Sequence, residues 1–417
     1  MTNQEKRDSF FAENPNICSL YKEILDYNAA NNANAWGGVV MLRTIKQHAI
    51  MHSPFYKTYS IEDHFPIMSK VDLITHHDEI LCPDYINQPL HRMSTSGSTG
   101  IPFTVEQDIE KRHRLIAELK VFGLYANYPS HERMIQFRAF NGKELDRSID
   151  ERENIWRYDI SYLSEDSMPD LLRFIEEYQP RILFGYCSTM DFISTYMIEH
   201  NIQLKHKVSS ILVGAETLTE EVANRIYKAF DCPIFDRYSN QEMGILAQRE
   251  YGKTDFLFNV ASYYLEILKL DCDEPCNEGE IGRIVVTDLY NRAFPMIRYD
   301  TGDVGSYVMH EGKLYLKDLL GRRVDTIYDT LGRARQPQLI SRIMWGVKNI
   351  RQWQFIQVNE GEYTIKLCTS GVVDEIDIRN RLHHVLGNDA CVLIEYVGEV
   401  PVANSLKRRY IINKMSL

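Results

Sequence analysis

LLRFIEEY at residues 171–178, RILFGYC at 181–187, TMDFISTYMIEH at 189–200, SSILVGA at 209–215, TEEVANRIYKAF at 219–230 and PIFDRYS at 233–239 follow one another with short connections. The first, third and fifth stretches read as helices, with apolar residues recurring every three or four positions. The second, fourth and sixth are short, largely apolar runs of strand type. Such alternation favours an α/β fold in which a sheet is covered by helices.

Around this middle third the pattern changes. Toward the N-terminus, helical stretches such as CSLYKEILDYNAA (18–30) mix with a Pro-punctuated run, SPFYKTYSIEDHFPIMSK (53–70), and the Asn-rich stretch from Asn28 to Asn34 reads as a turn. MSTSGSTGIPFTV (93–105) joins a loop of small residues to a short strand, and EQDIEKRHRLIAELKVFGLYA (106–126) has helical spacing. After the middle third, YYLEILKL (263–270), IGRIVVTDL (281–289) and KLYLKDLLG (313–321) are strand patterns separated by Gly/Pro turns. The chain then restarts: a helix at 337–347, strands at 351–359 and 363–370, a helix at 373–387 and a strand at 391–397 suffice for a smaller α+β domain. These patterns predict a large domain over 1–321, a smaller one over 322–417, and a hinge near 321–325.

Composition sets outer limits. With 417 residues, 44% of them apolar, the chain has material for two cores, and 47 basic against 58 acidic residues disfavour a nucleic acid as partner. The start lacks the layout of an export signal, and no run approaches the roughly 18 apolar residues that cross a membrane, so a cytoplasmic protein without membrane insertion is expected. Of eight cysteines only Cys272 and Cys276 are close together, in a turn without histidine companions, which favours free thiols over zinc.

The residues Ser94 to Gly100, STSGSTG, combine five hydroxyl side chains with two glycines. Glycines let the backbone approach a ligand, and amide and hydroxyl hydrogens can surround phosphate oxygens. Taken alone the loop also reads as a serine-rich surface turn, and it lacks the lysine of GxxxxGK[ST]. Three further stretches follow in order: YSNQEMG (238–244), RYDTGDVG (298–305) and GRRVD (321–325). Together with TSGSTGIP (95–102) they resemble the adenylate-forming superfamily of acyl- and aryl-CoA ligases, nonribosomal adenylation domains and luciferases. The likeness is strongest to phenylacetate-CoA ligase-like and capsule-biosynthesis-associated enzymes, and it runs from the SPFY region to the end of the chain.

The resemblance implies activation of a carboxylic acid by ATP and Mg²⁺ to an acyl-adenylate and pyrophosphate. It leaves the acceptor open among the thiol of CoA, the phosphopantetheine thiol of an acyl-carrier protein and an amine or alcohol, leaves a noncatalytic nucleotide-binding assembly protein as a further reading, and is compatible with a homodimer. The large domain would bind acid and ATP and the smaller one would move. The resemblance assigns Thr95, Ser96, Gly97, Ser98, Thr99 and Gly100 to the ATP phosphates, Gly214, Ala215 and Glu216 to the adenine side, and Asp236, Tyr238 and Ser239 to the adenine-stacking segment. It gives Glu242 to Mg²⁺, Asp303 to the ribose, Arg322 to ribose or phosphate, Arg298 to support of the site, and Lys407 to the carboxylate and α-phosphate. RYDTGD is expected to be a compact turn. The acid pocket is expected to draw on Phe137, Phe140, Phe184, Gly185, Tyr186, Cys187 and Ser188, whose aromatic content suits an aryl or moderately apolar acid. Ser239, Val324 and Leu406 stand where the family usually has Gly, an acidic residue and Gly.

Overall fold

The computed structural model describes residues 1–29, 37–95, 103–140, 145–322, 327–335, 340, 343–344, 347–400 and 410–415. The strands are β1 (His91–Thr95), β2 (Phe103–Gln107), β3 (Met134–Arg138), β4 (Ile155–Asp159), β5 (Ile182–Tyr186), β6 (Ser210–Gly214) and β7 (Ile234–Asn240). They continue as β8 (Gly244–Arg249), β9 (Phe256–Phe258), β10 (Tyr263–Leu268), β11 (Gly282–Asp288), β12 (Tyr299–His310) and β13 (Lys313–Arg322). The last six are β14 (Ile327–Tyr328), β15 (Ala334–Arg335), β16 (Ile350–Asn359), β17 (Glu362–Thr369), β18 (Cys391–Tyr396) and β19 (Ile411–Asn413).

One sheet of 11 strands dominates, in the order β10-β11-β12-β13-β9-β8-β7-β6-β5-β3-β4. From β4 to β7 the neighbours are parallel, and from β7 to β10 they are antiparallel. The parallel half is the alternating middle third. Helices Met168–Tyr178, Cys187–Glu199 and Glu220–Phe230 bury their apolar sides against it, and Val222, Ile226 and Phe230 mark the four-residue spacing in the last. Full burial of such a side chain contributes about 1.5–3 kcal/mol. Thr219 caps that helix through its Oγ1, 3.3 Å from the amide of Val222.

The helix Ile109–Tyr125 covers the other face, and its Ala117, Val121 and Phe122 pack with Ile17 and Ile24 of the helix Pro15–Ala29. The antiparallel half has a separate core in which Tyr56, Phe65 and Leu73 of the N-terminal segment meet Phe256, Phe258, Ile284, Val286 and Leu316. RYDTGD is not the turn its composition suggests. Tyr299 to Asp303 lie in β12, paired with β11 on one side and, at Asp303, with Arg322 of β13 on the other. The turn-like chemistry survives as an irregularity within the strand: Gly302 has φ of +77°, and Asp300 Oδ1 accepts the Gly302 amide at 2.9 Å.

The C-terminal residues build a four-stranded sheet, β18-β17-β16-β19, with β16 and β17 antiparallel and the outer pairs parallel. The helix Glu375–Leu386 packs on it through Ile378, Leu382 and Leu386, in a core shared with Phe355, Ile365 and Leu367. Among the described residues no helix is long and apolar enough to cross a membrane, and none gather into a group of three or more metal-binding side chains.

Candidate active site

Parallel strands deliver their carboxyl ends to one edge of a sheet, where the connections form a crevice. Here Tyr186, Gly214 and Arg237 stand side by side in register, so the segments that follow all emerge at that edge. Gly214 is required by close approach: a Cβ there would lie 2.9 Å from the carbonyl oxygen of Arg237. Ala215 follows in the left-handed region, φ +65°, and is exposed. This bend turns Glu216 back toward the neighbouring connection, where its carboxylate accepts the Ser188 amide at 2.7 Å and the Ser188 hydroxyl at 3.0 Å. Glu216 thereby caps the helix Cys187–Glu199 and joins two edge segments. Cys187 is buried, its thiol donating to the Glu216 carbonyl at 3.2 Å, and burial pushes that thiol well above its usual range.

β7 and β8 form a hairpin whose tip carries Glu242. Asn240 acts locally, because its Oδ1 accepts the Met243 amide at 2.8 Å and closes the turn. Glu242 is 9% exposed, and its Oε1 accepts the Tyr299 hydroxyl at 2.9 Å. At the base of the same hairpin the Tyr238 hydroxyl donates to Asp303 Oδ2 at 2.6 Å and lies 3.4 Å from Thr301 Oγ1. Burial, and then the Asp303 charge, push the Tyr238 phenol well above its usual range, so it remains a donor at alkaline pH. Tyr238, Asp303, Glu242 and the backbone of Arg322 are thus brought together by strand pairing across 65 residues of chain between Tyr238 and Asp303.

A carboxylate held by one hydroxyl, with no protein partner for its Oε2 among the described residues, suits a hard divalent cation that takes its remaining ligands from phosphates and water. Glu242 therefore fits Mg²⁺.

Other expected site residues sit differently. The Arg298 guanidinium pairs with Glu266 at 3.1 Å and donates to the Phe65 carbonyl at 2.9 Å, which fixes the entry to β12. Asp236 is 6% exposed and faces Arg249 at 3.8 Å beneath the edge, where burial pushes its carboxyl up to about 6 against the pull of Arg249. It supports β7 and does not join the Tyr238 cluster. Phe137 is fully buried, its ring 5.5 Å from that of Tyr158, and it backs Gly185 as packing without lining an opening. Phe140, Phe184, Tyr186 and Ser188 are half-buried at or near the edge, and Ser239 is exposed. Thr95 ends β1, and the hairpin of β1 and β2 brackets the phosphate-loop candidate. Ser96, Gly97, Ser98, Thr99, Gly100, Val324, Asp325, Leu406 and Lys407 lie outside the described residues.

Sequence reading missed the shell behind Glu242. Gln107 Nε2 donates to the Glu242 carbonyl at 3.2 Å, and the Tyr263 hydroxyl donates to the Met243 carbonyl. Tyr263 in turn accepts from Lys111 Nζ at 3.1 Å, and Lys111 forms an ion pair with Asp288 at 2.7 Å, both side chains fully buried. Gln107 to Lys111 adjoin the TSGSTG loop in sequence, so one segment ties that loop to the Glu242 hairpin. An amphipathic helix that starts with buried charge, DIEKRHR, was the available signal.

Comparison with known proteins bears on the fold. Residues 329–414 match the family described as the CapK C-terminal domain. Protein CapK of Staphylococcus aureus is 24% identical over 372 residues, 84% of this chain and 80% of its own length. A 2-hydroxyisobutyryl-CoA ligase, in its postadenylation state with an acyl-AMP, superposes with TM-score 0.71 at 16% identity, covering 91% of this chain and 89% of the other. The amide bond synthetase McbA of Marinactinospora thermotolerans superposes with TM-score 0.53 at 13% identity over 73% of this chain and 64% of its own. The chain thus has the fold of the adenylate-forming enzymes, a large mixed α/β domain followed by a smaller C-terminal one, and is similar in sequence to CapK.

Proposed function

We propose that the chain is an AMP-forming ligase that activates a carboxylic acid with ATP and transfers the acyl group to a thiol, that of CoA or of a carrier protein. The observation that carries the reading is the convergence of Tyr238, Asp303 and Glu242 on the carboxyl edge of the parallel strands. Tyr238 offers a ring face to adenine while its hydroxyl orients Asp303, whose carboxylate accepts the ribose hydroxyls. Gly214 and Ala215 admit the base, and the TSGSTG loop receives the β- and γ-phosphates. Glu242 holds Mg²⁺, which when bound neutralises charge across the phosphates.

In the first half-reaction a carboxylate oxygen of the acid bonds to the α-phosphorus, and the bond from that phosphorus to pyrophosphate breaks. Lys407 offsets the charge that develops, without supplying a proton. In the second, the thiol sulfur bonds to the acyl carbon, AMP leaves with the mixed-anhydride oxygen, and the thiol proton passes to solvent. The smaller domain, from 322 on, pivots near 321–325 between the two. In support of that motion, the fit to the 2-hydroxyisobutyryl-CoA ligase falls from TM-score 0.71 in its postadenylation state to 0.56 in its thioesterification state. Half-buried Phe140, Phe184 and Tyr186 form the acid side. The likeness to McbA favours an amide-forming enzyme as the second reading.

The test is a panel of acids with Mg-ATP and CoA, followed by nucleotide analysis and mass detection of the thioester. AMP and acyl-CoA in equal amounts are expected. ADP as product, or AMP release that ignores the acid, overturns the proposal; AMP release driven by an amine and not by a thiol selects the second reading.

A further inference from the structure

One buried cation at the edge plays no part in that scheme. Arg237 precedes Tyr238 on β7 and is 6% exposed. Its Nε donates to Gln248 Oε1 at 2.9 Å, and its guanidinium lies 5.5 Å from the centre of the Phe184 ring. A guanidinium carries five donors, and among the described residues only this one is used and no carboxylate pairs with it. Other buried cations differ: Lys111 has Asp288 at 2.7 Å, Arg114 has Glu23 at 3.1 Å, and Lys120, over the Phe10 ring at 3.8 Å, feels the charge of Glu153. For Arg237, burial alone acts, and it pulls the guanidinium down to about 9.

Gln248 contributes a neutral acceptor, and its own amide is committed to the Phe122 carbonyl at 2.8 Å. The Phe184 ring adds a modest cation–π attraction. Neither replaces the hydration lost by a buried charge, and such charges are ordinarily paired. The position supplies the missing partner's location. Arg237 is level with Tyr186 and Gly214, at the rim where the acid side of the site begins, and Phe184 beside it is only half-buried.

We propose that Arg237 is the counter-ion for a second anionic group on the acid substrate, so that the substrate class is an acid bearing a carboxylate, phosphate or sulfonate remote from the carboxyl that is activated. The inference rests on the adenylation reading and narrows it: Phe184 covers the apolar middle of the acid, and Arg237 receives its charged far end. Pairing an anion with a desolvated guanidinium discriminates against a neutral analogue, because the neutral tail leaves the charge unpaired.

The experiment is ATP–pyrophosphate exchange with acid pairs matched in length, one member ending in a methyl or aryl hydrogen and the other in a carboxylate or sulfonate. The parent chain is expected to favour the anionic member in kcat/KM by about 30-fold or more. Arg237→Met is expected to abolish or invert that ratio, and Arg237→Lys to retain part of it. Because the readout is a ratio of two acids on one protein, a general loss of folded enzyme cancels. A parent that prefers neutral-tailed acids, or an Arg237→Met ratio equal to the parental one, overturns the inference and leaves the adenylation reading standing. Should Arg237→Met not fold, the parental ratio and Arg237→Lys decide. Exchange with no acid in either class overturns the adenylation reading itself, and this inference with it.

Discussion

Tyr238→Phe keeps the ring beside the proposed adenine position and removes only the hydroxyl that orients Asp303. The bond is short, 2.6 Å, and its acceptor is a carboxylate, which places it among charge-assisted bonds worth about 1.5–3 kcal/mol. Tyr238 and Asp303 are both half-buried, so the lower end applies, and about 1.4 kcal/mol is tenfold in an equilibrium. The KM for ATP in pyrophosphate exchange should therefore rise about tenfold with a smaller change in kcat, since ribose recognition is a binding contact made throughout the reaction. Asp303→Asn should raise it by a similar or larger factor. The double variant should be little worse than Asp303→Asn, giving a coupling free energy on the order of 1.5 kcal/mol. If the two single effects add to within about 0.5 kcal/mol, the hydroxyl does not act through Asp303, and the reasoning that joins β7 to β12 at the nucleotide fails.

Glu242→Gln should raise the Mg²⁺ concentration required for half-maximal exchange by about tenfold or more while acid binding, measured by calorimetry, stays near parental; an unchanged Mg²⁺ requirement removes Glu242 from the metal. Lys407→Ala should slow adenylate formation by about 100-fold and spare the reaction of a preformed acyl-adenylate with thiol, with Arg408→Ala as the charge control; equal first-step rates for parent and variant leave Lys407 outside the reaction. Lys111→Met strands the fully buried Asp288 and should lower the unfolding free energy in urea by about 3–5 kcal/mol, and a loss below about 1 kcal/mol contradicts the role given to that pair. His77 is raised to about 9, chiefly by its bond to Glu106 at 2.8 Å. Its stabilisation is complete below the unfolded value near 6.5 and lost as pH rises through about 9, a change on the order of 2 kcal/mol that His77→Gln should erase from the pH dependence of Tm.

The parallel half of the sheet was legible because its information is local. TEEVANRIYKAF carries its own cap and its own apolar stripe, and no distant residue changes how either reads. The candidate site was legible as a set of stretches and illegible as a set of contacts. RYDTGD has the composition of a turn, and it becomes strand because β11 and β13 lie on either side of it, which no local signal reports. The partner of Arg298, Glu266, lies 32 residues earlier and outside the motif, so the pairing could not be read from it. Glu216, which the resemblance gives to the adenine side, also accepts from the start of the helix that begins at Cys187, a contact between distant segments that no local signal reports. Gln107, Tyr263 and Tyr299 support the Glu242 hairpin through single long-range bonds, and such residues carry no motif.

The central claim is met most directly by ATP–pyrophosphate exchange in the purified chain, because exchange requires an acyl-adenylate formed reversibly from a bound acid and needs no knowledge of the acceptor. With Mg²⁺ and an acid panel that includes both neutral and anionic tails, the account predicts label from pyrophosphate appearing in ATP, dependent on the acid and abolished by omission of Mg²⁺. Folded protein that binds ATP and yet shows no acid-dependent exchange across the panel would contradict it.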